Sequence, residues 1–173
     1  GVTGSGKTEV YLRVIEKVRE LGGGVIFLVP EISLTQQLMA RVKGRFSEGE
    51  TAVIHSGVNK SIRYDQWRRI QKGEVKIVIG ARSALFVPMH DLRLIVVDEE
   101  HDGSYKQDDR LRYNARDMAI VKGKLSAATV VLGSATPAIQ TYFNARKKKY
   151  HYLELPNRIE SRALPVVKIV DMR

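Results

Sequence analysis

The sequence predicts an α/β domain in which one parallel β-sheet carries helices on both faces. Three observations lead there. Five short runs are almost wholly apolar and rich in β-branched residues, as strands covered on both faces must be. Amphipathic stretches with apolar residues three and four apart lie between them, the alternation expected of parallel strands joined by crossover helices. Finally, 173 residues with 43% hydrophobic and 28% charged composition fit one domain able to bury such a sheet.

Taken in order, the first helix is predicted over 7–21, where Val10, Tyr11, Val14, Val18 and Leu21 would face the core before Gly22, Gly23 and Gly24 end it. Strands follow at 24–29, 51–55, 75–79, 92–97 and 129–132. The remaining helices are expected over 33–46, 60–71, 114–125 and 137–146, the last with Pro137 at a favoured first position. Trp67, flanked by Arg68 and Arg69, reads as a packed anchor. Short strands at 150–155 and 166–170 would flank a connection running from Pro156 to Pro165. There is no internal repeat and no low-complexity linker.

Charge narrows the partners. With 29 Lys and Arg against 19 Asp and Glu, the net charge of +10 points to a polyanion, nucleic acid before an acidic membrane or protein, although a solvated basic surface would look the same. No cysteine is present, so neither a disulfide framework nor a thiolate zinc site lies within these residues. No apolar run reaches the length of a membrane span, and the first residues do not resemble a signal peptide, so a cytosolic protein with no membrane partner is expected.

Two motifs carry chemistry. Gly1-Val2-Thr3-Gly4-Ser5-Gly6-Lys7-Thr8 matches GxxxxGKT in full and opens a helix. Glycines let backbone amides curl around phosphates, the helix N-terminus adds partial positive charge, Lys7 meets the phosphates, and Thr8 can ligate Mg²⁺. The predicted fold is therefore a P-loop NTPase of RecA-like type. Its phosphate loop needs a strand before it, so the chain reads as a part cut from a longer protein, with that N-terminal strand missing. The second motif, Asp98-Glu99-Glu100-His101, ends the strand 92–97 and should face the phosphate loop across the sheet's carboxyl edge. There Asp98 would hold Mg²⁺ and Glu99 would polarise the attacking water, while His101 would report the phosphate state outward. A third segment, Gly133-Ser134-Ala135-Thr136-Pro137, sets hydroxyls at another strand end, where Ser134 or Thr136 could cap the next helix.

Together GxxxxGKT, DEEH and SATP resemble motifs I, II and III of superfamily 2 helicases, in the correct order. More closely, the chain is similar to the first motor lobe of the primosomal replication-restart DNA helicases. The resemblance rests on GVTGSGKTEVY at 1–11, LVPEISLT at 28–35, HSG at 55–57, RSALF at 82–86, DEEHDGSYKQ at 98–107, RYNARDMA at 112–119 and GSATPA at 133–138. Gln36, where the family commonly has Pro, and Ala81, where Thr would be expected, depart from it. It covers the full chain as helicase lobe 1 and implies a bacterial, nucleoid-associated, ATP-driven 3′ to 5′ DNA helicase acting at stalled forks. Single-stranded and forked DNA, the primosome and single-strand-binding proteins are the implied partners. Zinc is implied only in parts of the family outside this chain, and 150–173 would lead toward a second lobe.

The resemblance marks 30–35 and 81–86 for DNA. Arg82 and Ser83 suit a phosphate, whereas Phe86 could either pack or stack on a base. In the loop after the acidic motif, Tyr105 and Lys106 form the expected DNA sensor. Two other readings remain at this stage: a P-loop ATPase or nucleotide-binding module without helicase activity, and a fragment that only recruits partners.

Overall fold

The computed structural model describes residues 5–109 and 111–157. The chain runs α1 (Lys7–Glu20), β1 (Gly24–Leu28), α2 (Gln36–Lys43), β2 (Thr51–Ile54), α3 (Lys60–Gln71), β3 (Ile77–Gly80) and β4 (Leu92–Val97). The short strands β5 (Lys106–Gln107) and β6 (Tyr113–Asn114) follow, then α4 (Ala115–Leu125), β7 (Thr129–Leu132) and α5 (Ile139–Arg146). Five strands form one sheet in the order β2-β3-β1-β4-β7, and every pairing in it is parallel. β1 and β3 are buried at every position, and β4 at all but Arg93, which is why these segments are nearly free of polar residues.

Alternate side chains of the strands feed two cores. Val25, Phe27, Val29, Ile77, Ile79, Leu94 and Val96 pack with Tyr11, Leu12 and Ile15 of α1 and Val42 of α2. On the other face, Ile26, Leu28, Val78, Ile95 and Val97 pack with Ile70 of α3 and with Ala115 and Ala119 of α4. A parallel sheet thus sends the carboxyl ends of β1, β4 and β7 to one edge, where the loops after them meet the start of α1.

Several element boundaries differ from expectation. In α1 the buried set is Tyr11, Leu12 and Ile15, while Val10, Val14 and Leu21 are exposed. Two apolar stripes lie side by side on this helix, and its rotation over the sheet selects the one through Tyr11 and Ile15. The helix expected over 33–46 divides into a 3-10 turn at Glu31–Ser33 and α2, because Thr35 accepts a bond from Leu38 N (3.3 Å) and starts the helix there. Neither Ser134 nor Thr136 caps α5, which begins at Ile139 with Ala138 at the cap, so Pro137 precedes the helix. Residues 150–155 form no strand; the Tyr152 ring instead meets Tyr142 edge-on at 6.2 Å. The ladder between β5 and β6 was not foreseen, and the strand expected at 166–170 lies outside the described residues.

Candidate functional site

The site forms where α1 begins and β4 ends. Gly6 precedes α1 with φ 85°, a left-handed conformation that glycine adopts without strain, and Ser5 beside it is buried, with no hydrogen-bond partner for its Oγ among the described residues. Gly1, Val2, Thr3 and Gly4 lie outside the described residues. From the first turn of α1, Lys7 reaches across to β4, where its Nζ stands 3.2 Å from Glu99 Oε1. Thr8 lies one residue on and lines, with Asp98, Ser33, Thr35 and Arg41, a cavity of about 380 Å³.

Asp98 is held from both sides. Its backbone N–H donates to Leu28 O (2.9 Å), continuing the ladder between β1 and β4, and its Oδ1 accepts from Tyr11 Oη (3.2 Å) and Glu99 N (3.0 Å). Burial, and then the neighbouring Glu99 charge, raise the pKa of the Asp98 carboxyl from its ordinary value. Glu99 has φ 45°, unusual for a residue with a side chain and a mark of backbone held by its surroundings. That turn aims Glu99 at both Lys7 and His101, whose Nδ1 is 3.6 Å from Glu99 Oε2. His101 Nδ1 also lies 2.8 Å from Ser134 Oγ, and its Nε2 lies 3.4 Å from Thr136 Oγ1. Lys7, Asp98, Glu99, His101 and the Ser134 segment therefore meet, as the sequence expected.

Glu100 has no role legible in the sequence, yet its buried carboxylate meets three different donor residues. Its carboxylate, 2% exposed, accepts from Ala138 N (2.7 Å), Thr141 Oγ1 (2.9 Å) and Arg116 (3.3 Å). These bonds explain the late start of α5, since Glu100 takes the place of a local cap. Arg116, also buried, was passed over because nothing in its own neighbourhood marks it; a charged residue on the apolar face of α4 was the available signal. Tyr11 was read as core alone, although a buried tyrosine hydroxyl calls for a partner.

The DNA candidates divide. Ser83 is exposed on the 3-10 turn Arg82–Phe86, and Lys106 is exposed beside Asp108, 3.0 Å away. Arg82 donates to the backbone oxygens of Ser104 (3.2 Å) and Lys106, bracing this turn against the loop after the acidic motif. Tyr105 requires correction. It is 1% exposed, and its hydroxyl donates to Asp98 O (2.7 Å), so its ring has no face to offer a base. The β5–β6 ladder folds the loop back and drives that ring inward. Phe86 is half-exposed with its edge against Tyr113 at 5.2 Å. Trp67, expected as a packed anchor, is 37% exposed.

A family model described as DEAD/DEAH box helicase matches residues 1–144. The chain belongs to this family. ATP binding follows from that membership at the level of the family. Among relatives, the replication restart protein PriA of Bacillus subtilis is 51% identical over 173 residues, spanning 100% of this chain and 21% of the relative. PriA of Rickettsia prowazekii is 48% identical over 172 residues, spanning 99% and 26%. The chain thus covers about a fifth to a quarter of the length of these relatives. Among solved structures, the Pyrococcus furiosus Hef helicase domain superposes with a TM-score of 0.61 at 18% identity, covering 87% of this chain and 32% of that one. At that identity the likeness is one of fold. No helix among the described residues is long and apolar enough to cross a membrane.

Proposed function

We propose that this chain is the ATP-binding motor lobe of a 3′ to 5′ DNA helicase that acts in the restart of stalled replication forks. The observation that carries the reading is the Lys7 to Glu99 contact at 3.2 Å, which joins the start of a phosphate-loop helix to an acidic strand end. The half-identity to PriA proteins over the whole chain supports the replication-restart role.

The residues fit a magnesium nucleotide. The buried Ser5 Oγ, without a hydrogen-bond partner among the described residues, and the left-handed Gly6 beside a helix N-terminus suit a phosphate cradle, to which Gly1, Val2, Thr3 and Gly4 would contribute. Thr8 and Asp98 supply the hard oxygen ligands that Mg²⁺ prefers. When bound, Mg·ATP supplies the scissile phosphoryl group and a divalent charge that offsets its oxygens. Lys7 would then exchange its carboxylate partner for phosphate oxygens, releasing Glu99 to orient a water and take its proton. His101, bonded to Ser134, would pass the change in Glu99 to the loop before α5. Single-stranded and forked DNA would contact the edge bearing Arg82, Ser83 and Lys106, with primosome and single-strand-binding proteins as further partners.

The test is Lys7→Ala in the full-length protein, measured by calorimetry with Mg·ATP and by DNA-stimulated phosphate release. Loss of most nucleotide affinity and of stimulated turnover, with DNA binding retained, is expected. Unchanged affinity would place the nucleotide elsewhere.

A further inference from the structure

The Asp98 carboxylate is asymmetric. Both hydrogen bonds that it accepts, from Tyr11 Oη at 3.2 Å and Glu99 N at 3.0 Å, fall on Oδ1, and no donor among the described residues is bonded to Oδ2. The same carboxylate lines the cavity that Thr8 shares. We propose that Tyr11 is a positioning residue: its hydroxyl, with the Glu99 amide, anchors Oδ1 and so presents Oδ2 as the oxygen that meets a divalent cation. This rests on the reading of Asp98 as a cation ligand.

Three elements build a slot for that hydroxyl. The Tyr11 ring is fixed edge-on against Phe27 of β1, with ring centres 5.8 Å apart. Beneath the hydroxyl lies Gly133, just after β7, where any Cβ would collide with Tyr11 Oη. Gly133 cannot move aside, because its N–H donates to Val97 O (2.9 Å) and its carbonyl accepts from Glu100 N (3.0 Å). Those partners flank Asp98 and Glu99 in the chain, so the slot and the carboxylate share one backbone frame. A tyrosine present only to fill the core could be replaced by phenylalanine without loss. Here the space kept clear at Gly133 is the space the hydroxyl occupies, and the hydroxyl's acceptor is the candidate cation ligand. Partners that orient a metal ligand in this way are typically worth about 10- to 100-fold in metal affinity.

The experiment is the Mg²⁺ dependence of binding of a non-hydrolysable ATP analogue to the full-length protein, followed by calorimetry, with Mn²⁺ paramagnetic resonance as a direct readout of the cation. Tyr11→Phe retains the ring and its contact with Phe27, and it is expected to raise the half-saturating Mg²⁺ concentration about tenfold or more. Analogue binding in EDTA should stay unchanged, which a general loosening of the core would not achieve. Gly133→Ala, which displaces the hydroxyl without deleting it, should shift the cation dependence in the same direction and serves if Tyr11→Phe melts too low to assay. Asp98→Asn separates the layers. If it shifts the Mg²⁺ dependence while the well-folded Tyr11→Phe protein does not, the positioning role is overturned. If Asp98→Asn also leaves that dependence unchanged, Asp98 is not the cation ligand and the proposal falls with it.

Discussion

Replacing Glu99 by glutamine isolates the proposed chemistry from binding. The amide is nearly isosteric and leaves the backbone at φ 45° and the contact toward His101 in place, but it removes the charge that faces Lys7 at 3.2 Å. The two side chains are 15% and 32% exposed, so the pair is partly solvated and contributes about 0.2–1 kcal/mol. Under the proposed function Lys7 would leave Glu99 to meet phosphate, so removing the pair should leave nucleotide affinity unchanged or tighten it, by about fivefold at most. Hydrolysis behaves differently. An amide cannot accept the proton of an attacking water, and loss of a general base typically slows the step by about 10² or more. Phosphate release with single-stranded DNA present, beside calorimetry with Mg·ATP, measures both in the full-length protein. Unaltered turnover in a variant that binds nucleotide would refute the assignment, and a marked loss of affinity would show that Glu99 supports the phosphate loop instead.

Two further substitutions test the surroundings of the site. Tyr105→Ala should lower stability by about 3–5 kcal/mol in denaturant unfolding, the cost of emptying a buried aromatic position, whereas exposed Lys106→Ala should leave stability alone and weaken stimulation of ATPase by single-stranded DNA; a harmless Tyr105→Ala would contradict its burial. Glu100→Ala should cost about 1–3 kcal/mol because it removes the shared acceptor of Ala138 N, Thr141 Oγ1 and Arg116, whose guanidinium keeps its contacts with Asp117 (2.8 Å) and Gln140 (3.3 Å), and Glu100→Gln should cost less, since its side-chain oxygen still accepts from Ala138 N or Thr141; equal, negligible effects would remove Glu100 as the clamp on α5.

The sequence made some of this legible and hid the rest for physical reasons. β4 and β7 have the expected bounds, as does α3: β4 is covered on both faces and so nearly continuously apolar, half-buried β7 is an apolar β-branched run at the sheet edge, and the ends of α3 carry their own punctuation in Asn59 and Gly73. Lys7, Asp98, Glu99 and His101 were placed together because a parallel sheet delivers strand ends to one edge. Glu100 was not, since its burial depends on Arg116 and Thr141, respectively 16 and 41 residues away in the chain. Tyr105 misled in the opposite way. Its neighbours Ser104, Lys106 and Gln107 are polar, so the stretch reads as open loop, whereas the ring is held inward by non-local contacts: the pairing of Lys106 and Gln107 with Asn114 and Tyr113, the Arg82 bonds and the hydroxyl's bond to Asp98 O. Tyr11 lies between these cases, being correctly buried but assigned by its ring alone.

These hidden contacts bear on how nucleotide and DNA could be linked. The backbone carbonyl of Asp98 accepts the Tyr105 hydroxyl at 2.7 Å, and the carbonyls on either side of Tyr105, those of Ser104 and Lys106, are held by Arg82. Arg82 begins the turn that carries Ser83, and Lys122 of α4 closes the far end of that turn by donating to Leu85 O (2.7 Å) and Val87 O (3.0 Å). Burial lowers the tendency of Lys122 to hold its proton, and the two carbonyls it meets compensate that lost hydration. A shift in the strand end at Asp98 thus has a short, packed and hydrogen-bonded route to the proposed DNA edge, with a buried ring rather than an exposed one as its middle member. Under the proposed function, Tyr105 would transmit and Lys106 would touch. The two roles separate because one side chain is inside the fold and its neighbour is outside it.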